Sequence, residues 1–262
     1  HSLRSAWDHV RPFPLPRYDA ATPRVGAGDP LDPFLPPTAS TLAAAAMSEE
    51  AAGFVDGVLD RLTPSDELTA GRFFYRSSRA KFGRHWRHAD LLTTLWAAAT
   101  LIRPRSYLEI GVWRGRSAAV VASAAPRCAV YGFDLWIPEY AGAKNPGPDF
   151  VRQELRRVGY QGELELVSGN SRETLPAFLR EHPDLYFDLI TVDGDKSILG
   201  AASDMANALP RLKVGGIVVF DDLPVRPVLR RVWDRAVRRD RRYATWQFDE
   251  GRLGVATAVR ME

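Results

Sequence analysis

Four aspartates follow the ends of two apolar runs in the second half of the chain. Asp193 and Asp195 lie in TVDGD, and Asp221 and Asp222 lie in VFDDL. Carboxylates that meet at neighbouring strand ends without a compensating base repel one another. This grouping therefore indicates a bound cation or a cationic ligand.

A second group of residues lies in YLEIGVWRGRSAAVV, where a run typical of a strand gives way to one typical of a helix. Glu109 precedes Gly111 and Gly115, and Ser117 begins the helix. Glycines let a backbone approach a ligand closely, and the amides at a helix N-terminus can bind a carboxylate or a phosphate. Two glycines at this spacing also suit tight packing of strand against helix, so both interpretations stay open.

Polar residues also end the next two strands. Asp134 closes YGFD, 25 residues after Glu109, at a position where dinucleotide-binding folds use an acidic side chain for the ribose hydroxyls. Asn170 and Ser171 lie in SGNS, which suits either contact with a nucleobase edge or an ordinary turn and helix N-cap. In an open α/β sheet, ligands bind at the carboxyl ends of the strands, where all these residues would meet.

The elements that must position these groups alternate between short β-branched runs and amphipathic segments, which is typical of a parallel sheet covered by helices on both faces. The predicted strands are Ser106 to Ile110, Ala129 to Phe133, Leu164 to Ser168, Phe187 to Val192, Gly216 to Phe220, Thr245 to Phe248 and Gly254 to Val259. The predicted helices are Ser117 to Ala125, Phe150 to Val158, Arg172 to Glu181, Ile198 to Leu212 and Pro227 to Arg239. Only the turn-like DEGR separates the last two strands, which predicts an antiparallel pair.

Three regions are expected along the chain. Residues 1–39 hold eight of the 19 prolines, which predicts an extended arm because proline disrupts helices and interior strands. Helical periodicity predicts a helical region over residues 40–103, and residues 104–262 form the α/β domain. The arm is expected to pack on the body or on a second subunit, as in a homo-oligomer, through its apolar side chains Phe13, Leu15, Tyr18, Phe34 and Leu35.

Composition favours a soluble globular protein, since 45% of the 262 residues are hydrophobic. Because the sequence has no long apolar run and no signal peptide, we expect a cytoplasmic protein with no membrane partner. The single cysteine, Cys128, excludes an internal disulfide and is interpreted as a core thiol. Arginines concentrate in residues 229–242, where Val232, Trp233 and Val237 favour a solvated amphipathic helix over a nucleic-acid surface.

The series LEIGVWRGRS, GFDLW, SGNS, FDLITVDGD and LPRLKVGGIVVFDDL resembles the class I S-adenosylmethionine-dependent methyltransferases, over roughly residues 85 to 260. Within that superfamily the chain is most similar to O-methyltransferases acting on sugars in macrolide and aminocoumarin biosynthesis, and more distantly to catechol O-methyltransferases. The resemblance implies a Rossmann-like seven-stranded sheet, mostly parallel with the last strand antiparallel. It also implies methyl transfer to a hydroxyl of a small molecule, such as a sugar or phenol of a secondary metabolite.

The resemblance also implies roles for the residues at the strand ends. S-adenosylmethionine would contact Glu109, Gly111, Gly115 and Ser117 through its methionine part, Asp134 through its ribose, Asn170 and Ser171 through its adenine, and also Asp193. A divalent cation would be held by Asp193 and by Asp221 and Asp222, 28 and 29 residues later. Oxygen ligands of this type suit Mg²⁺.

The base that accepts the proton of the hydroxyl has two candidates. The sugar enzymes favour the second aspartate of DGD, here Asp195, whereas the catechol enzymes use a lysine at the position of Lys196. Many relatives have histidine directly after DGD, so the choice stays open. His85 or His88 in KFGRHWRHAD, and the loop from Asp134 to Asp149, are further candidates for the acceptor site or for simple packing.

Two other functions remain as alternatives. The chain would be a nucleic-acid methyltransferase if the arginine-rich helix bound RNA or DNA, or a cofactor-binding protein without catalysis. A nicotinamide dehydrogenase is disfavoured because the G-x-G-x-x-G pattern is absent.

Overall fold

The computed structural model describes residues 14–18, 22–26, 36–140, 143–223, 227–249 and 254–262. Phe13, Phe34 and Leu35 of the expected arm lie outside the described residues, as do the last three residues of DEGR.

The described strands form one large sheet and one small hairpin. They are β1 (Ser106–Ile110), β2 (Ala129–Asp134), β3 (Glu139–Tyr140), β4 (Ala143–Lys144), β5 (Leu164–Ser168), β6 (Phe187–Val192), β7 (Leu212–Asp221), β8 (Tyr243–Phe248) and β9 (Val255–Arg260). The sheet has the order β5, β2, β1, β6, β7, β9, β8, and β3 pairs with β4. Neighbours from β5 to β7 are parallel, whereas β9 is antiparallel to both β7 and β8. The Rossmann-like seven-stranded sheet predicted from the sequence is confirmed.

Helices cover both faces of this sheet. They are α1 (Ala39–Ala46), α2 (Glu49–Arg61), α3 (Asp66–Phe82), α4 (Leu91–Ile102), α5 (Arg116–Ala124), α6 (Pro148–Arg157), α7 (Ser171–Glu181), α8 (Ile198–Ala208) and α9 (Pro227–Trp233). The core divides into two clusters, one beneath α1, α2, α4 and α5 and the other beneath α7, α8 and α9. Strands β1 and β6 are buried along their whole length because helices cover both their faces. No helix among the described residues is long and apolar enough to span a membrane.

Two predicted helices differ from the structure at their C-termini. The helix predicted from Ile198 to Leu212 ends at Ala208, because Leu209–Arg211 forms a 3₁₀ turn around Pro210 and Leu212 begins β7. The helix predicted from Pro227 to Arg239 is α-helical only to Trp233 and continues as a π turn over Asp234–Arg238.

The described parts of the N-terminal arm pack on the body of the chain. The backbones of Pro23 and Val25 hydrogen-bond to Val214, near the amino end of β7. Tyr18 hydrogen-bonds to the hydroxyl of Tyr243 at 2.9 Å, and the guanidinium carbon of Arg242 lies 3.6 Å from the centroid of the Tyr18 ring. These contacts lie at the end of the sheet opposite the carboxyl end of β7. Homo-oligomerisation through the arm stays a prediction.

The arginine-rich segment is a solvated helix with an apolar inner face, as predicted. Val232, Trp233 and Val237 are buried. Acidic neighbours pair with several of the arginines, through Arg230 with Asp249, Arg238 with Asp234 and Arg242 with Asp240. These ion pairs reduce the positive charge available to a nucleic acid.

The thiol of Cys128 is 1% exposed, which confirms its interpretation as a core residue. Burial raises the pKa of the thiol to about 12, so it is protonated and unreactive at neutral pH.

Asp188 in β6 joins the amino ends of the central strands. Its carboxylate accepts hydrogen bonds from the backbone N–H groups of Arg105 and Ser106 at 2.8 and 2.9 Å, and Lys213 Nζ lies 2.8 Å away. We expect Asp188→Ala to lower the free energy of unfolding by about 3–5 kcal/mol, because it leaves a buried ammonium without its partner. Urea denaturation measures this loss. The exposed control Asp184→Ala should stay within about 0.5 kcal/mol of the parent, and equal losses in the two variants would contradict the assignment.

Candidate active site

The strand order reverses between β1 and β6, and the loops that follow these two strands touch each other. Asp193, directly after β6, donates its backbone N–H to the carbonyl of Ile110 at 2.8 Å. Gly111, directly after β1, donates its own N–H to the carbonyl of Phe133 at 2.8 Å. In open α/β sheets, a reversal of this kind opens a crevice outside the carboxyl ends of the strands, where ligands bind.

The two glycines of the junction have different roles. Gly111 has a φ of +89°, and a Cβ atom there would lie 2.4 Å from the carbonyl oxygen of Asp193. Gly115 begins α5 with a φ of +72°, and its Cβ would lie 2.9 Å from a methyl carbon of Val151 in α6. Gly115 therefore serves tight helix packing, whereas Gly111 lets the two central loops meet at the crevice.

Glu109 is a fully buried carboxyl group at this junction. Its Oε1 accepts a hydrogen bond from the hydroxyl of Ser117 in α5, while Oε2 has no partner among the described residues. Burial, and secondarily the charge of Asp193, raises the pKa of Glu109 to about 8. A buried carboxyl with an open oxygen suits a cationic ligand group, which would favour its charged form.

Asp134 at the end of β2 shapes the glycine loop. Its Oδ2 accepts hydrogen bonds from the backbone N–H groups of Val112 and Trp113 at 2.8 and 2.7 Å, and its Oδ1 accepts one from Trp136 at 2.6 Å. Each carboxylate oxygen has two lone pairs, so Oδ1 keeps one position for a ligand hydroxyl. Asp134 therefore combines a structural role with its predicted role as a ribose ligand.

The SGNS turn is joined to α8 by an aspartate that sequence reasoning missed. Asn170 caps α7 by accepting the N–H of Arg172, which confirms the N-cap interpretation. Ser171 donates its hydroxyl to Asp204 Oδ1 at 2.7 Å, and Asp204 is 0% exposed. Burial raises the pKa of Asp204 to about 7. The available signal was its place on the apolar face of a predicted helix, next to the buried Met205.

The acidic group at the ends of β6 and β7 contains a base. Lys196 Nζ contacts Asp193 Oδ1 and lies 3.2 Å from Asp222 Oδ2. The expectation that these aspartates have no nearby compensating base is therefore wrong. Burial opposes the ammonium charge, but the charges of Asp193 and Asp222 outweigh it and raise the pKa of Lys196 well above its usual range.

The predicted metal ligands do not fit a metal ion in this arrangement. The described residues contain no group of three or more His, Cys, Asp or Glu side chains placed to hold one. The ammonium of Lys196 lies between Asp193 and Asp222, where a shared cation would bind. Burial also raises the pKa of Asp221 well above its usual range, because the charges of Asp193 and Asp222 add to the desolvation.

Asp195, the other predicted catalytic residue, is exposed and lies at the start of α8. Its Oδ1 accepts the backbone N–H of Ser197 at 2.8 Å, and its Oδ2 accepts the Ser197 hydroxyl at 2.9 Å. The side chain also covers Gly200, where a Cβ atom would lie only 2.0 Å from Oδ2. Asp195 and Lys196 are neighbours in one loop, but Asp195 binds Ser197, whereas Lys196 binds Asp193 and Asp222.

His88 has a packing role in the structure. Its ring stacks on Trp86 with a centroid distance of 5.4 Å and contacts the edge of Phe248 at the same distance. His88 Nε2 lies 3.5 Å from Asp90 Oδ2, and Asp90 caps α4. His85 is exposed in the 3₁₀ turn Gly83–His85.

The loop after β2 is attached to the neighbouring strand by Trp136, whose indole N–H donates to the hydroxyl of Ser168 at 3.0 Å. The side chains on either side of it, Leu135 and Ile137, are 55% and 44% exposed. Trp136 therefore packs the loop on the body, and a role for this loop in binding an acceptor stays a prediction.

The contact at Gly111 can be tested by substitution. We expect Gly111→Ala to lower the free energy of unfolding by more than about 2 kcal/mol, because the added methyl meets the backbone of Asp193 and the left-handed φ is unfavourable. Thermal or urea unfolding measures the loss. Gly57→Ala is the control: this helical glycine has open space around it, so alanine should stabilise by up to about 1 kcal/mol. A neutral Gly111→Ala would show that the two loops do not meet as described.

Comparisons with known proteins agree with this geometry. Residues 108–223 match a family model described as "Methyltransferase domain", and this segment contains every cofactor, metal and catalytic residue predicted from the sequence. No curated protein sequence matches the chain.

Several solved structures share the fold at low sequence identity. The O-methyltransferase TomG from Streptomyces achromogenes, involved in tomaymycin synthesis and bound to S-adenosylmethionine, is 18% identical, with 77% of this chain and 92% of that chain covered and a TM-score of 0.54. Cofactor-bound Rv0187 from MTB is 23% identical, with coverage of 79% and 96% and a TM-score of 0.54. An O-methyltransferase from Bacillus cereus is 18% identical, with coverage of 81% and 99% and a TM-score of 0.52. The match to a methyltransferase domain thus covers residues 108–223, and the solved structures share the fold of the chain.

Proposed function

We propose that the chain transfers a methyl group from S-adenosylmethionine to a hydroxyl oxygen of a small molecule, such as a sugar or a phenol of a secondary metabolite. The observation that carries the proposal is the buried, half-satisfied carboxyl of Glu109 beside Gly111, at the reversal of the strand order. TomG and the Bacillus cereus protein are O-methyltransferases by name, which supports oxygen as the acceptor atom.

The residues of the crevice fit the chemical groups of S-adenosylmethionine. Glu109 offers an unpaired buried oxygen to a cationic group, and Gly111 leaves the backbone accessible. Asp134 keeps one acceptor position for a ribose hydroxyl. Asn170 uses only its Oδ1 as a helix cap, so its amide N–H groups remain for the adenine.

When bound, S-adenosylmethionine supplies an electrophilic methyl group on a positively charged sulfur. The protein must hold the acceptor oxygen in line with that methyl and remove the proton of the hydroxyl. Of the two predicted bases, Lys196 keeps its proton because its carboxylate neighbours raise its pKa. We therefore assign proton acceptance to Asp195, which is exposed and has no ion-pair partner among the described residues.

The expected Mg²⁺ has no part in this proposal, because the described side chains do not fit it. Methylation of a nucleic acid is also not favoured, since three arginines of the arginine-rich segment are paired with Asp234, Asp240 and Asp249.

Methyl transfer from labelled S-adenosylmethionine to a panel of sugars and phenols tests the proposed activity. Once an acceptor is found, Asp195→Asn should lower kcat by about 10²- to 10⁴-fold, as the loss of a general base does. The control Asp184→Asn, at an exposed turn before the amino end of β6, lies away from the carboxyl ends of the strands and should keep the parental kcat. A protein that binds S-adenosylmethionine yet methylates no hydroxyl would contradict the proposal and favour a binding role.

The pKa of Glu109 predicts a pH-dependent affinity for the cofactor. Because that pKa is about 8 and a cationic ligand favours the charged carboxylate, binding below pH 8 must release a proton. The affinity should therefore rise by up to about tenfold per pH unit between pH 6 and 7 and level off near pH 8. Titration calorimetry in buffers of different ionisation enthalpy measures both effects. Glu109→Gln should bind more weakly and without this slope; an identical slope in the variant would assign the proton to another group.

A further inference from the structure

The acidic end of β6 and β7 holds a cation supplied by the chain itself. We infer that the ammonium group of Lys196 takes the place of a divalent metal ion, so that methyl transfer proceeds without one. This inference rests on the proposed function and concerns the same site.

The first support is the position of the ammonium group. Lys196 Nζ contacts Asp193 from the loop after β6 and lies 3.2 Å from Asp222, which follows β7. These residues are two of the three predicted metal ligands, and they belong to different loops. A divalent cation shared by these two carboxylates would place a second positive charge beside the ammonium group, so the metal and Lys196 compete for the same site.

The second support is burial. The Lys196 side chain is 12% exposed, compared with 26% and 29% for Asp193 and Asp222. An exposed lysine could turn into solvent and admit a metal at little cost, whereas this one would lose two ion pairs in a partly desolvated site. Mg²⁺ would in addition have to shed part of its tightly held water.

The third support is the local structure that directs the lysine inward. Asp195 turns towards α8, where Ser197 donates two hydrogen bonds to its carboxylate and Gly200 leaves room for it. The next residue, Lys196, returns to Asp193 three positions earlier. Asp222 has a φ of +63°, an uncommon conformation for a residue other than glycine. The local backbone therefore brings Lys196 and Asp222 towards the same point from two different loops.

The arrangement also leaves a donor for the acceptor molecule. An ammonium group has three N–H bonds; one donates to Asp193, and a second faces Asp222 across a 3.2 Å ion pair. The third can donate to the acceptor oxygen, and the fixed positive charge stabilises that oxygen as it loses its proton to Asp195. This supplies the charge that a metal ion would otherwise provide.

Binding of Mn²⁺, followed by electron paramagnetic resonance on metal-stripped protein, tests the inference directly. We expect no site in the parent and one in Lys196→Met, because that variant leaves the carboxylates of Asp193 and Asp222 without the cation that they share. Lys213→Met is the matched control: it removes another largely buried lysine, but one that pairs with the single carboxylate of Asp188, so it should gain no site.

Chelation of the parent enzyme gives a second readout. The rate of methyl transfer after treatment with a chelator should stay within about twofold of the untreated rate, and added Mg²⁺ should not increase it. Stoichiometric Mn²⁺ binding to the parent that is lost in Asp222→Asn would overturn the inference, as would a tenfold loss of activity on chelation that Mg²⁺ restores. A folded Lys196→Met that binds no Mn²⁺ would also contradict it. Because Lys196→Met could fail to fold, thermal unfolding is recorded first, and the two measurements on the parent decide without it.

The same preparation separates this inference from the proposed function. Calorimetry with S-adenosylmethionine on the metal-stripped parent shows whether the cofactor crevice is competent. Absent cofactor binding would count against the proposed function, whereas Mn²⁺ bound by a cofactor-competent parent would count against the role of Lys196 alone.

Discussion

The site depends on the close approach of two backbone loops at the centre of the sheet. Gly111 follows β1 with no side chain, and a Cβ atom would lie 2.4 Å from the carbonyl oxygen of Asp193. The backbone N–H of Asp193 in turn donates a hydrogen bond to the carbonyl oxygen of Ile110. Because the loops meet here, the acidic ends of β1 and β6 lie side by side. The predicted ligand residues of five parallel strands therefore lie at one edge of the sheet.

Several carboxyl groups lie close together in this partly desolvated crevice, and hydrogen bonds from the protein stabilise each of them. Glu109 accepts one hydrogen bond from the hydroxyl of Ser117, and burial raises its pKa to about 8. Asp204 is held by Ser171 in the same way, and Asp134 is held by backbone N–H groups. An unpaired buried charge is costly, so an incompletely paired group of acids favours a positively charged ligand. S-adenosylmethionine carries such a charge on its sulfur.

The opposite end of the sheet has a structural role. Asp188 pairs with Lys213 and accepts hydrogen bonds from the backbone N–H groups of Arg105 and Ser106. Tyr18 of the arm packs on Arg242 and Tyr243 at this same end. Each of these groups has a partner, whereas Glu109 Oε2 and Asp204 Oδ2 near the crevice have none among the described residues. Unpaired buried oxygens of this kind are consistent with the proposed binding of a ligand at the crevice.

The sequence by itself determined the fold and the identity of the strand-end residues. Strands β1, β5 and β6 have the predicted bounds because short β-branched runs between turn residues have one strongly favoured conformation. The predicted helix extended past the end of α8, because Leu209 to Leu212 continues the apolar pattern and only Pro210 marks the change. The bounds of these elements depend on local residue types, and the spacing of apolar residues along the chain indicates them.

Tertiary structure alone decided how the charges are paired. Asp204 follows an apolar helical pattern, and nothing local shows that it meets Ser171 at the start of α7, 33 residues earlier. The family resemblance implied a metal ion shared by Asp193 and Asp222, yet Lys196 lies between them. That placement depends on the hydrogen bonds from Ser197 to Asp195, on the space that Gly200 leaves, and on where β7 ends beside β6. Contacts between distant residues follow from the packing of the sheet, which local sequence patterns do not encode.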